Sequence, residues 1–338
     1  MIFQRLKAVA KVLIQIATTL LGLLVVTFII SRLLPADPVL AIVGDHASES
    51  TIAAAREQLG LNHSIPVQFL LYISSVLRGD LGVSLRTSQP IFDDLVRVFP
   101  ATLELATWGI IIGVIFGIPL GVWAAVRKDS IVDHLIRFVG LVGYSMPIFW
   151  LGIMSLLIFY AKLDWLPGPG RLDFGYEDMV TPITGLMTVD TLLAGDYDMF
   201  QNAVAHLIMP ASLLGYFSLA YISRMTRSLM LSQLSQEYVL TARVKGVSET
   251  RIIWKHAMGN ILVPLLTVVA LSYGTLLEGS VLTETVFTWH GLGLYITDSI
   301  FGQDLPAVMG GTIVVGMVYI VINTLTDIAY QFLDPRAR

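Results

Sequence analysis

Residue types that commonly carry catalysis or bind metals are sparse in this sequence. There are six histidines, none of them paired at i, i+4, and no cysteine. The sequence has no HExxH motif, no GxSxG nucleophile elbow and no Gly-Lys dipeptide, which argues against a zincin, an α/β-hydrolase and a P-loop ATPase. An intramembrane enzyme would need a nucleophile–base or carboxylate pair within an apolar stretch, and none occurs. We therefore expect no catalytic residue, metal site or cofactor on this chain.

A basic segment late in the chain has a spacing that suggests binding rather than catalysis. Leu240, Val244 and Val247 recur at i, i+4 and i+7, which predicts one apolar helix face. Gly246 is a suitable residue just after a helix end, and Ser248 can cap a following helix. The spacing alone fits two alternatives equally: a helix docked in a partner's groove, or a basic loop beside anionic lipid.

The elements that hold this segment are membrane spans. The chain has 338 residues, of which 55% are hydrophobic and 14% charged, against roughly 25% charged in soluble domains. A spanning helix needs about 20 apolar residues. Six stretches of about this length contain no Asp, Glu, Lys or Arg, which predicts an all-α polytopic membrane protein with six spans and one domain, 1–338. The predicted spans are residues 12–31, 105–126, 138–161, 201–223, 257–277 and 305–326.

The distribution of Lys and Arg predicts the orientation. Most of the 21 basic residues fall before the first span, between spans two and three, in the segment 224–256 and at the C-terminus. Because cytoplasmic loops carry the excess of Lys and Arg, both termini and segment 224–256 are expected in the cytoplasm. The predicted outer loops are 35–100, 162–200 and 282–304. They are predicted to contain short helices and turns on one membrane unit. One helix should begin at Ser48 or Ser50 and end at Gly60, a second should end at Gly79, and a third short helix is expected within 181–196.

Many short motifs along the whole chain resemble ABC-type importer permeases. They include "RLLPADPV", "GDLGVSL", "GYSMPIFWLGI", "AHLIMPA", "RMTRSLM" and "LTETVFTW". The segment "EYVLTARVKG" looks like the loop that carries the coupling helix, for which "TARAKG" is the usual form in the dipeptide, oligopeptide and nickel branch. The chain is most similar to the first permease subunit of a dipeptide transporter. One departure is Leu240, where importer loops in general have Glu, so no acidic role is carried over to that position.

This resemblance implies a type I ABC importer permease in the bacterial inner membrane. Its partners would be a second homologous permease, two cytoplasmic ATPases that hold ATP and Mg, and an extracytoplasmic peptide-binding protein. Membrane lipid would surround the spans, and no nucleic acid would bind. The resemblance assigns these residues to ATPase coupling: Glu237, Tyr238, Leu240, Thr241, Ala242, Arg243, Val244, Lys245, Gly246, Val247 and Ser248.

Two groups of residues are candidates for the translocation path. Glu104 and Glu278 lie near the outer ends of spans two and five, where a carboxylate could attract a peptide's α-ammonium or simply bond to another helix. Pro147 predicts a kink in span three, where neighbouring bulky side chains could form a gate or pack ordinarily. These gate candidates are Met146, Pro147, Phe149 and Trp150.

Two rival functions remain open at this point. Similar permeases import nickel chelates, opines, glutathione or oligosaccharides, and the sequence does not separate these solutes from peptides. A secondary transporter or channel is a further alternative, and it predicts proton-relay carboxylates within the spans. The predicted span cores contain none.

Overall fold

The computed structural model describes residues 14, 16–29, 39, 48–58, 60–176 and 179–333, and most of these residues are helical. Helices α1 to α12 are, in chain order, Ile16–Ile29, Glu49–Gln58, Ile65–Leu77, Ile91–Val126, Ile131–Ser145, Ile148–Lys162, Met187–Leu193, Tyr197–Leu234, Glu237–Val244, Glu249–Phe287, Leu292–Phe301 and Leu305–Leu333.

Four of the described helices are long and apolar enough to cross a membrane. They are α4, α8, α10 and the Leu305–Thr326 part of α12, and the bent pair α5 and α6 makes a fifth candidate. Helix α1 is apolar but shorter, and residues 12, 13, 15, 30 and 31 of the first predicted span lie outside the described residues. The expected fold class, an all-α polytopic membrane protein, is confirmed.

The third predicted span is broken rather than gently kinked. Helices α5 and α6 meet at an angle of 98°. Met146 is extended, with φ −93° and ψ 136°, and Pro147 begins the next helix. A proline disfavours the α conformation at the preceding residue and has no N–H to donate, so the helix ends here. Stretch 138–161 is therefore two helices, and the expectation of a kink at Pro147 understated the change of direction.

The chain divides into two compact units, and their boundaries fall inside α4, between α10 and α11, and inside α12. One unit contains residues 1–99 and 291–321, and its core includes Ile91, Leu95 and Leu292. The other contains residues 100–290 and 322–338. Its core is a cluster of apolar side chains that includes Val122, Ile222, Met230, Ile261 and Leu265.

Within the second unit, α4 and α8 lie unusually close because of a row of glycines on α4. A Cβ added to Gly113 would lie 2.6 Å from the Ser218 Cβ, and one added to Gly121 would lie 2.5 Å from the Ser223 carbonyl oxygen. Small residues at this spacing allow helix backbones in membranes to approach each other. The row is Gly109, Gly113, Gly117 and Gly121, and each faces α8.

The short helices outside the spans begin and end at the expected residues. The Ser48 hydroxyl accepts a hydrogen bond from the Thr51 N–H at 3.2 Å, which caps α2. Gly60 and Gly79 have positive φ after α2 and α3.

Helix α7 lies in the segment where a short helix was predicted, and the Asp190 carboxylate accepts hydrogen bonds from the loop that precedes this helix. Burial opposes ionisation of Asp190, but hydrogen bonds from Thr184 and neighbouring N–H groups outweigh it and lower the pKa of this carboxyl.

Candidate coupling site and translocation path

Helix α9 is short and ends in a Schellman motif. The Val247 N–H donates to the Ala242 carbonyl at 3.0 Å, and the Gly246 N–H donates to the Arg243 carbonyl at 3.0 Å. Gly246 has φ +75°, and no atom lies within 4 Å of the position that a Cβ would occupy. Glycine is therefore favoured here by backbone conformation and not by lack of space.

The apolar face of α9 is divided between the protein interior and solvent. Val239 is fully buried, whereas Leu240 and Val244 have exposed fractions of 64% and 81%. Tyr238 is half-buried, and its hydroxyl donates to Gln233 at 3.1 Å. Val247 lies beyond the helix end at Val244, so the predicted three-residue stripe is wrong at its third member. Two neighbouring apolar side chains, Leu240 and Val244, are left facing outward.

Charged groups at α9 connect it to the start of α10. The Arg243 guanidinium donates to both Glu249 carboxylate oxygens, at 2.7 and 3.2 Å. This pairing raises the pKa of Arg243, which stays a cation. Lys245 is exposed. Ser248 occupies the N-cap position of α10, but its side chain makes no capping hydrogen bond, so the predicted cap is supplied by backbone geometry only.

The remaining predicted coupling residues lie on or beside the same helix. Glu237 opens α9, and the Thr241 hydroxyl donates back to its carbonyl at 3.0 Å. Ala242 is half-buried, and both Glu237 and Thr241 are exposed. The structure thus brings the predicted coupling residues together in one segment that connects α8 to α10.

The predicted gate residues lie at the break between α5 and α6. Met146, Phe149 and Trp150 have exposed fractions of 36%, 44% and 44%, and Pro147 is also exposed. Glu278 is exposed on α10. None of these side chains belongs to the buried core that the structure describes.

Glu104, in contrast, is buried and fully engaged within the chain. Its carboxylate accepts from Arg171 Nη2 at 2.9 Å, from the Met187 N–H at 3.1 Å, and from the N–H and hydroxyl of Thr188 at 2.8 and 2.6 Å. These hydrogen bonds cap the N-terminus of α7 and hold the outer loop 162–200 against α4. This geometry favours the structural alternative for Glu104 over direct contact with a solute.

A second buried carboxylate, Glu284, did not emerge from the sequence. It is fully buried and accepts hydroxyl hydrogen bonds from Thr102 at 2.7 Å and Ser280 at 2.9 Å. Residues 282–304 were assigned to an outer loop, but α10 continues to Phe287 and carries Glu284 into the protein interior. The contact with Thr102 joins residues 182 positions apart, which local periodicity does not reveal.

Two family models together match nearly the whole chain. The model described as binding-protein-dependent transport system inner membrane component matches residues 117–338, and its N-terminal companion matches residues 5–106. The chain belongs to this family. The permease is therefore a multi-pass inner-membrane subunit of an ABC importer and not an enzyme, as expected. Importers of this kind work with ATPases and a substrate-binding protein.

Full-length relatives support the same assignment. Over 93% of its length, the permease is 44% identical to a probable D,D-dipeptide transport system permease protein of Escherichia coli K12, and the match covers 92% of that protein. Over 98% of its length, it is 42% identical to a di/tripeptide transport system permease protein of Pseudomonas aeruginosa, and the match covers 99% of that protein. A structure of inward-facing MetNI methionine ABC transporter aligns with a TM-score of 0.51 at 17% identity, covering 71% of this chain and 96% of that chain, which shows a shared fold.

Proposed function

We propose that this permease carries dipeptides and other short peptides into the cell, driven by ATP hydrolysis on partner subunits. The support is the agreement among relatives that are more than 40% identical over more than 90% of the chain and are described as dipeptide or di/tripeptide permeases. The direct test is reconstitution with the partner subunits and measurement of labelled dipeptide and nickel uptake. We expect ATP-dependent dipeptide uptake. Nickel uptake without dipeptide uptake would contradict the proposal.

We infer an assembly of four membrane-associated subunits and one binding protein. This permease pairs with a second homologous permease, two cytoplasmic ATPases hold ATP and Mg, and the extracytoplasmic protein delivers peptide. Both termini lie in the cytoplasm, as the Lys and Arg distribution predicts. The break at Met146–Pro147 and its exposed aromatic neighbours line the path, and Glu278 lies near its outer end.

Helix α9 is the proposed contact with an ATPase, and its exposed Leu240 and Val244 carry this assignment. An apolar pair on a short helix that projects from a membrane bundle needs a groove in a partner. The helix is fixed to the bundle by buried Val239 and to α10 by the Arg243–Glu249 pair. Motion of the partner's groove is thus passed to α10 through a short, hydrogen-bonded turn.

Gly246→Val is expected to uncouple ATP hydrolysis from uptake. A β-branched residue at φ +75° strains the turn by about 1–2 kcal/mol, although open space surrounds the position. We expect peptide uptake to fall about tenfold, since that strain equals roughly a factor of ten in an equilibrium. The measurement is peptide uptake per ATP hydrolysed, with membrane insertion checked by yield.

Gly246→Asn is the matched control, because asparagine tolerates the left-handed conformation better than other non-glycine residues. It should retain most of the uptake that Gly246→Val loses. Equal uptake by the valine variant and the original protein would show that the turn does not transmit motion.

Single cysteines at Leu240 and Val244 should crosslink to an ATPase subunit. The natural chain has no cysteine, so each variant carries one thiol. Both side chains are exposed on α9, whereas Leu193, exposed at 59% on α7, is predicted to face the outside. In intact cells an impermeant maleimide should label Leu193→Cys and leave Leu240→Cys unlabelled. Outside labelling of Leu240→Cys would overturn the orientation.

A further inference from the structure

A cavity of about 370 Å³ lies between α5 and α8, and none of the predicted coupling or gate residues lines it. It lies in the half of α8 that leads towards α9. Its polar lining comes from Arg137 and Tyr144 on α5 and from Ser223, Arg224, Arg227 and Ser228 on α8. Nothing in the proposed transport mechanism uses this cavity.

The cavity carries an excess of positive charge. Asp133 is fully buried beside it and accepts from Arg227 Nε at 2.6 Å and Nη2 at 2.7 Å. The same carboxylate lies 3.7 Å from Arg137 Nε. His134 Nδ1 contacts Arg137 Nη2 at 2.6 Å, which makes this ring nitrogen an acceptor. The Asp133 carboxylate therefore faces two guanidinium groups, and Arg227 takes most of its hydrogen-bonding capacity. Arg224 is a third cation on the lining.

The Arg224 guanidinium lies beside aromatic rings and not beside a carboxylate. Its guanidinium carbon lies 5.0 Å from the Tyr144 ring centroid and 5.9 Å from that of Tyr221. Among the described residues, no carboxylate lies within ion-pair distance of it. Contact with aromatic rings does not use the N–H groups of a guanidinium, and these are the groups with which arginine recognises phosphate.

Exposed apolar side chains flank these cations along α5. Phe138, Leu141 and Tyr144 have exposed fractions of 62%, 64% and 57%. A charged group beside such a surface in a membrane is costly unless a counter-charge accompanies it. The surface thus presents cations next to hydrocarbon, a combination that fits a ligand with an anionic head and apolar chains.

We propose that this cavity binds the phosphate of an anionic phospholipid, with its acyl chains along the exposed side of α5. Basic pockets between membrane helices on the cytoplasmic side bind such headgroups. The charge excess favours an anionic lipid over a zwitterionic one, and the apolar flank favours a lipid over free phosphate. Placement in the cytoplasmic leaflet rests on the orientation proposed above, but binding itself does not depend on peptide transport.

The test uses the assembled transporter in detergent, with phosphatidylglycerol, phosphatidylcholine or inorganic phosphate added separately. Native mass spectrometry and thermal unfolding report binding. Phosphatidylglycerol should remain bound and raise the unfolding temperature, whereas phosphatidylcholine and inorganic phosphate should not. Arg224→Gln should weaken phosphatidylglycerol binding about tenfold, in line with losing hydrogen bonds to a charged group. Lys128→Gln removes an exposed cation outside the cavity and should have no such effect.

Four outcomes would overturn the proposal. Equal binding of both lipids would show that charge is not recognised, and an equal effect of inorganic phosphate would indicate a free-anion site. Unchanged phosphatidylglycerol binding in Arg224→Gln would place the lipid elsewhere. A crosslink from Leu141→Cys to the second permease, with no bound lipid in the complex, would identify a protein as the occupant. Arg224→Gln must unfold like the original protein without lipid, which separates lost binding from lost folding.

Discussion

Arg171→Met is expected to destabilise the permease by about 3–5 kcal/mol, since it removes one partner of a buried ion pair. The Arg171 side chain is 12% exposed and the Glu104 side chain 2%. Arg171 also donates to the Gly185 carbonyl at 2.9 Å and lies 5.4 Å from the Trp289 ring centroid. Its loss leaves the Glu104 carboxylate buried without a cation and removes a hydrogen bond that holds the outer loop 162–200 against α4.

Thermal unfolding of the purified protein measures this effect, and a second ion pair supplies the control. Arg86 and Asp298 approach to 2.6 Å but have side-chain exposures of 52% and 36%. An exposed pair contributes only about 0–1 kcal/mol, so Arg86→Met should change stability little. In the double variant Arg171→Met/Glu104→Gln, part of the stability should return because no buried charge is left. Equal losses in the two single variants would show that burial does not govern the Arg171 pair.

Gly121→Ala is expected to separate α4 from α8 and to lower stability by roughly 1–3 kcal/mol, the usual cost of overpacking. The added methyl would lie 2.5 Å from the Ser223 carbonyl oxygen and 2.7 Å from the Thr226 Cβ. The backbone carbonyl cannot rotate away as a long side chain can. Gly121→Val should abolish folded, membrane-inserted protein, measured as monodisperse protein recovered from the membrane.

Gly279→Ala distinguishes close packing from the general effect of removing a helical glycine. No atom lies within 4 Å of its Cβ position in α10. Alanine is favoured over glycine in a helix by about 1 kcal/mol, so this variant should be neutral or more stable. Stability of Gly121→Ala equal to that of Gly279→Ala would contradict the close approach of α4 and α8.

Local sequence features predicted the helices and their ends where the determining groups lie a few residues apart. Ser48, Gly60, Gly79 and Gly246 act on neighbouring backbone groups, so their roles can be predicted from type and position. The error at Val247 has the same origin, because a helical period holds only until the left-handed Gly246. Pro147 predicted a change of direction, but its angle depends on the packing of α5 and α6 on other helices.

Features that depend on distant pairs were missed or left open. The spacing of Gly109 to Gly121 is visible in the sequence, but the helix that it faces is not. Glu104 had two open interpretations until Arg171 and Thr188 were found beside it, and these residues lie 67 and 84 positions away in the sequence. Relations of this kind are set by tertiary packing, and periodicity carries no information about them.

The first turns of α10 contain a π-helical stretch, Ile252–Ala257. Buried Ile252 and Ala257 are five residues apart, whereas the next buried positions, Ile261 and Leu265, follow at steps of four. Each residue advances a helix by about 100° and 1.5 Å, so α-helical pairing here would shift the phase of everything beyond it by one such step. The hydrogen-bond register of this one turn therefore sets which face of the span beyond it packs into the protein interior.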